Sequence, residues 1–477
     1  MTGISVADVR RQLKHPIVDS DGHWVESLAV LAEYVRDIGG GAMVDRYIKT
    51  RAVNMSWYQA TDAERIRQRY RRTVWWHYPY EAKEYATIHL PRMFYERLDE
   101  IGIDFAIVYP SAALNLEAMA DAELRAVVAR AYNMMAADLF RPYADRITPV
   151  AVVLRGSPKA AIEEATFAVR ELGYKAIMIG GAGIRYSATN EKYIDGLGLD
   201  NEESYDPFWQ ACMDLRVAVT SHAGSQTWSD RASATNYVFN HVGHFAQANS
   251  VFAKAVFLGG VGHRFPKLNF GFLEGGVAWA RSLCSDLIGH YEKRTYEAAS
   301  KYLKPTLLDL DEFRRLIDRY GDGRLKSLRE EIVAGIDGWE RGSLQDQVER
   351  EREHLHDFRA AGVNTRKDVE ALFSRNFYFG CEADDPMTML AFDRRLGTPL
   401  KALFSSDISH WDVPNMLEVV PEAYEMLEHG MVDEQDFRAF MFSNIVNLHG
   451  GMNPDFFKGT VVEAAAAAEL AKAKPPQ

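Results

Sequence analysis

Short apolar runs alternate along this chain with longer stretches whose apolar residues recur at helical spacing. The runs read as buried strands near residues 17, 105, 148, 176, 218, 269, 377 and 402. Between them, Leu124, Val127, Val128, Ala131 and Met135 share one face of a helix over 120–140, and Pro158 opens another that ends at Leu172-Gly173. Strand and helix in alternation, with right-handed crossovers, allow either an open doubly wound sheet or a closed barrel. Eight equivalent repeats with polar chemistry at several strand ends favour an α/β fold of the (β/α)8 TIM-barrel class with helical insertions. No GxGxxG or GxxxxGKS marks the single switch point of an open sheet.

Two segments stand outside the repeat. Residues 27–96 hold a helical stretch and the aromatic cluster Trp75-Trp76-His77-Tyr78-Pro79-Tyr80, which lines a pocket or simply packs a loop. Residues 285–375 are charged and helical, with Glu349-Arg350-Glu351-Arg352-Glu353 as a solvated face, and read as an insertion near the barrel mouth, a lid or a subunit contact. One barrel domain is therefore expected over 1–460, followed by a frayed Ala/Lys/Pro low-complexity tail over 461–477.

Composition narrows the classes without choosing among them. An apolar content of 47% over 477 residues is enough for a large core. The net charge of −12 supplies no field for nucleic acid or an anionic membrane. Cys212, Cys284 and Cys381 are too few and scattered for a disulfide framework or a CxxC zinc site, as expected of reduced cysteines. Residues 1–15 have no apolar signal-peptide region and no stretch approaches a membrane span, so the expectation is a cytoplasmic protein with no membrane and no nucleic-acid partner.

The strand ends carry the chemistry. Asp21 and His23, two apart on an extended strand, project to one side and can grip one cation. Their hard oxygen and borderline-soft nitrogen suit Zn, Mn or Fe. Alone, Asp-x-His is a common polar strand end, His222 in Thr220-Ser221-His222-Ala223-Gly224 would be a hydrogen-bonded core residue, and Asp407 would be a turn acid or helix cap. All four at the ends of strands one, five and eight point to a shared divalent-metal site at a barrel mouth.

With these residues in hand the chain resembles the amidohydrolase superfamily, in the amidohydrolase-related branch that includes aminocarboxymuconate semialdehyde decarboxylase. Asp21-Gly22-His23, residues 97–104, Tyr132-Asn133, His222-Ala223-Gly224, residues 260–276 and Ser406-Asp407 with His410 carry the similarity. It implies that Asp21, His23, His222 and Asp407 hold a catalytic divalent metal, zinc first, in one or two ions, with Asp407 also taking a proton from the attacking water. It implies a homo-oligomer as well, with a dimer expected.

The branch often has His after strand six, where this chain has Glu274. His241, in Asn240-His241-Val242-Gly243-His244, is therefore a candidate for the missing imidazole. Glu26 and Glu274 are candidates for a second ion or for orienting the first. Lys175 precedes strand four, at the wrong end to bridge two ions, and Arg97 on a helix is expected in a salt bridge. The acids of Cys381-Glu382-Ala383-Asp384-Asp385 are read as capping groups beside a buried thiol.

Metal-dependent hydrolysis of an amide, ester, lactone or thioester of a small carboxylic acid derivative, ring-bearing ones included, is the leading expectation. Asp407 would activate water and His241 or Glu274 would protonate the leaving group. The alternative is non-oxidative decarboxylation of an aromatic or unsaturated acid, disfavoured slightly by Glu274 standing where imidazole is usual. Trp24, Trp75, Trp76 and Trp228 suit a bulky substrate. A non-catalytic barrel is the third reading, and the complete ligand set argues against it.

Overall fold

Eight parallel strands close on themselves in a computed structural model that describes residues 3–53, 56–70, 81–222, 232–295, 297, 301, 307–336, 356–408 and 410–472. Strands β1 (Val18–Trp24), β2 (Phe105–Pro110) and β3 (Ile147–Pro149) pair in that order. Next come β4 (Ala151–Val153), β5 (Ile177–Ile179), an antiparallel hairpin of β6 (Gly183–Tyr186) and β7 (Lys192–Asp195), then β8 (Val219–Ser221), β9 (Phe270–Phe272), β10 (Phe377–Glu382) and β11 (Lys401–Ser405). The second sheet runs β11-β10-β9-β8-β5-β4.

Two seams join these sheets into a barrel. Val150 separates β3 from β4 in one continuous stretch: its N–H donates to Val108 O on one side, while Ala151 N–H donates to Ala176 O on the other, both at 3.0 Å. At the opposite seam Asp407 N–H donates to Asp21 O at 3.1 Å and His23 N–H to Ile408 O at 3.0 Å. All eight predicted strands are present, and their residues are almost wholly buried.

Helices cover the strands as the apolar spacing predicts. Asp121 caps Ala122–Phe140, with Leu124, Val128, Ala131 and Met135 buried and Val127 at the edge of that face. Asn133 on this helix donates to Val152 O at 3.0 Å and accepts from Val152 N–H at 2.8 Å, which pins helix to strand. Ser157 caps Pro158–Arg170. Arg97 is buried between Glu84 (2.8 Å) and Glu100 (3.1 Å), the expected salt bridge, and Lys175 reaches Phe456 O at 2.7 Å.

By contact pattern the chain divides into two compact units, Met1–Ser282 with Ala371–Gln477, and Leu283–Glu370. The second contains helices Leu310–Tyr320 and Arg329–Ile336, tied by Arg314 to Glu330 at 3.1 Å. The Trp75–Tyr80 cluster, Trp228 and the run 349–353 fall outside the described residues. Among the described residues no helix is long and apolar enough to cross a membrane.

The tail departs from expectation. Residues Glu463–Lys472 form a helix rather than a frayed end, because alanine is the best helix former and its small side chain permits close packing. Ala466 is buried, Arg438 holds Glu469 at 2.7 Å, and Leu470 fills the space beside Gly450.

His449, buried on helix Asn444–Gly450, has no hydrogen-bond partner at either ring nitrogen among the described residues and stacks on Phe456 at 4.6 Å. Burial pushes its pKa down to about 3. The unfolded chain therefore binds a proton below about 6.5 that the folded chain refuses, so stability falls as pH drops from 6.5 toward 3. His449→Leu removes this loss, and denaturant melts should show its benefit larger by about 2 kcal/mol at pH 5 than at pH 8.

Candidate metal centre

The polar residues that end the barrel strands meet on one side of the barrel. On β1 the pairing register shifts between Asp19 and Gly22, and Asp21 and His23 follow with both side chains buried. His23 Nδ1 lies 3.3 Å from Pro110 O, a partner for an Nδ1–H that leaves Nε2 free to bind a cation. His222, directly after β8, places its Nε2 3.0 Å from His23 Nε2 and 3.2 Å from Asp21 Oδ1. Asp407, two residues past β11, sets Oδ1 3.4 Å from the same His23 nitrogen.

These donors converge without satisfying one another. Asp21 Oδ1 and Asp407 Oδ1 are buried and make no hydrogen bond among the described residues. Burial, reinforced by His410 and His222, holds His23 well below the usual imidazole range and so neutral, the state a ligand needs. Burial pushes the Asp407 carboxyl far up, with Asp412, Glu382 and Asp21 adding repulsion. None of Asp21, Glu274, Glu382 or Asp407 is paired with lysine or arginine among the described residues. Two groups of metal-type donors result, Asp21 with His23 and His222, and His23 with Asp407 and His410; they share His23, and the nitrogens and carboxylates in each are of the kind that fits a divalent cation.

Glu274 ends the turn after β9 in the left-handed region (φ 53°), as Asp407 does after β11 (φ 48°). Backbone of that kind costs roughly 1–3 kcal/mol per residue, and here it turns both carboxylates toward the imidazoles. Glu274 Oε2 lies 3.6 Å from His222 Nδ1, placed to orient that ring. Burial and the neighbouring Asp407 push the Glu274 carboxyl well above its usual value.

The further imidazole that lies against the donor cluster is that of His410, not His241. His410 Nδ1 is 2.6 Å from Asp407 Oδ1 and 3.9 Å from Glu274 Oε1, and its ring stacks on His23 at 4.0 Å. His241 is half-buried among Tyr237 (5.1 Å), Phe245 (5.6 Å) and Trp411 (6.1 Å), and Phe245 is itself 6.5 Å from the His222 ring. It belongs to an aromatic wall rather than to the donor cluster. The signal for His410 was its place three residues after Asp407 in the turn that leaves the last strand.

Glu26 also lies elsewhere. Its carboxylate accepts from the N–H groups of Ser111 (3.3 Å), Ala112 (2.8 Å) and Ala113 (2.9 Å), which start the short helix Ala113–Ala118. That work occupies both oxygens, so Glu26 joins neither group of metal-type donors. Asp385 caps Pro386–Ala391 and Cys381 is buried, as expected, whereas Glu382 was missed as a neighbour of the site: burial and repulsion from Asp412 raise it to about 7.

The sequence model of the amidohydrolase family matches residues 89–325. No curated protein matches the chain. Among solved structures it is similar to an amidohydrolase from Mycobacterium avium subsp. paratuberculosis K-10, at 15% identity over 92% of this chain and 100% of that one, with a TM-score of 0.53. It is also similar to 2,6-dihydroxybenzoate decarboxylase from Rhizobium, at 16% identity over 91% and 98% with a TM-score of 0.50. The 5-carboxyvanillate decarboxylase of Sphingomonas paucimobilis aligns at 12% identity over 91% and 98%, also at 0.50. Likeness at these identities speaks to the fold.

Proposed function

We propose that this chain, which belongs to the amidohydrolase superfamily, is a divalent-metal-dependent decarboxylase that removes carbon dioxide non-oxidatively from a small aromatic or unsaturated acid. The position of His410 carries this reading. The sequence had disfavoured decarboxylation because Glu274 replaces an imidazole; with His410 stacked on His23, beside Asp407 and Glu274, that objection loses its premise.

When bound by Asp21, His23, His222 and Asp407, a divalent ion would supply Lewis-acid polarisation of a substrate oxygen. The chain's own groups have two further tasks. Breaking the carbon–carboxylate bond leaves an electron pair on carbon, and that carbon must receive a proton. His410, buried except for 16% of its side chain, can deliver one and recover it from solvent, a role worth about 10²–10⁴ in rate. Glu274, with Oε2 3.6 Å from His222 Nδ1 and Oε1 3.9 Å from His410 Nδ1, holds these two rings in place.

A second reading, hydrolysis of an amide, ester, lactone or thioester, draws support from the carboxylate-rich surroundings, which favour a neutral substrate over an acid. There Asp407 would accept the proton of the attacking water. One experiment separates them: a library of aromatic and unsaturated acids, with their amides and esters, incubated in ¹⁸O-labelled water. Carbon dioxide release without label in the remaining product is expected. Label appearing in a product carboxylate, with no carbon dioxide, would remove the decarboxylase reading in favour of hydrolysis.

A further inference from the structure

We propose that Asp19 is a positioning residue that locks the two metal-binding ends of β1 and β11 in register. Its side chain is fully buried, at 0% exposure, between those strands. Oδ1 accepts from Asp21 N–H at 3.1 Å and from Ser406 N–H at 3.0 Å. Oδ2 accepts from Ser406 Oγ–H at 2.6 Å, and Ser406 Oγ in turn accepts from Ile408 N–H at 3.2 Å. One carboxylate thus gathers the backbone on both sides of Asp407 and the backbone of Asp21.

The need for a carboxylate follows from the strand itself. The register shift between Asp19 and Gly22 takes this stretch out of the regular ladder where two N–H groups and a hydroxyl require acceptors. An ionised carboxyl offers enough lone pairs for all three on one side chain. Gly22 belongs to the same device, since a Cβ there would stand 2.5 Å from Asp19 Oδ2 and 3.7 Å from Ser406 Oγ. Asp19 touches no donor that would meet the ion, so its influence passes through Asp21 and Asp407.

The inference rests on the metal reading above and is tested on the metal rather than on turnover. The full chain is stripped and titrated with Co²⁺, following affinity and the visible absorption bands that report ligand geometry, with thermal melts to verify folding. Asp19→Ser should weaken Co²⁺ binding by about 10–100-fold, the range for groups that orient ligands, and alter the bands. Asp19→Asn, which keeps an acceptor for both N–H groups, should recover part of the loss, and Ser406→Ala, which deletes a single contact, should be milder than Asp19→Ser. Gly22→Ala should weaken binding in the wild-type background and add nothing to Asp19→Ser, because it acts by displacing the carboxylate. Wild-type affinity and bands in folded Asp19→Ser, or equal effects of Gly22→Ala in both backgrounds, would overturn the proposal. Absence of Co²⁺ uptake by the wild type would overturn the metal reading itself.

Discussion

Asp407→Asn is expected to lower kcat/KM by at least ~10³-fold on whichever substrate the labelled-water experiment identifies, a loss on the scale of removing a dedicated electrostatic group from a catalytic site. The substitution keeps the size and one oxygen but removes the charge that faces His23 Nε2 at 3.4 Å and His410 Nδ1 at 2.6 Å. Asparagine is the appropriate test because Asp407 has φ 48°, a region that asparagine tolerates and most other residues do not. The fold should therefore survive. In metal-free protein the variant should melt no lower than the wild type, since it relieves repulsion from Asp412, Glu382 and Asp21. Activity within tenfold of wild type would remove Asp407 from the chemistry.

Removal of metal is expected to have the second large effect. Without a cation, two buried imidazole nitrogens stand 3.0 Å apart beside Asp21 and Asp407, and the carboxylate oxygens nearest them lack hydrogen bonds among the described residues. An ion that binds only the folded chain stabilises it by about 4 kcal/mol when its free concentration is ~1,000 times Kd. A chelator should abolish turnover and lower the melting temperature, and added Zn²⁺ or Mn²⁺ should restore both. A melting temperature indifferent to chelator and to added ion would show that the cluster holds nothing.

The barrel was legible in the sequence because its strands are buried on both faces and so are written as unbroken apolar runs. Asp21, His23, His222 and Asp407 were legible because each follows such a run, where a barrel presents its site. His410 was harder to place: it lies in a turn, where periodicity says nothing about side-chain direction, and the structure stacks it on His23. Glu26 misled for a related reason, since the chain bends after β1 and the carboxylate meets the amides of 111–113. Asp19 left a signal that went unused, a charged residue inside a buried strand two positions before Asp21. The alanine-rich tail looked frayed by composition, whereas the helix propensity of the same residues and the groove beside Gly450 give it a place to pack.

The central claim is that Asp21, His23, His222 and Asp407 hold a divalent ion, and elemental analysis of purified protein tests it most directly. Wild type and His222→Ala should be prepared together, equilibrated with Zn²⁺ or Mn²⁺ and freed of loose ions. At least one tightly held ion per wild-type chain, with most of it lost from folded His222→Ala, is the predicted result. Equal metal content in the two proteins, or none in the wild type, would contradict it.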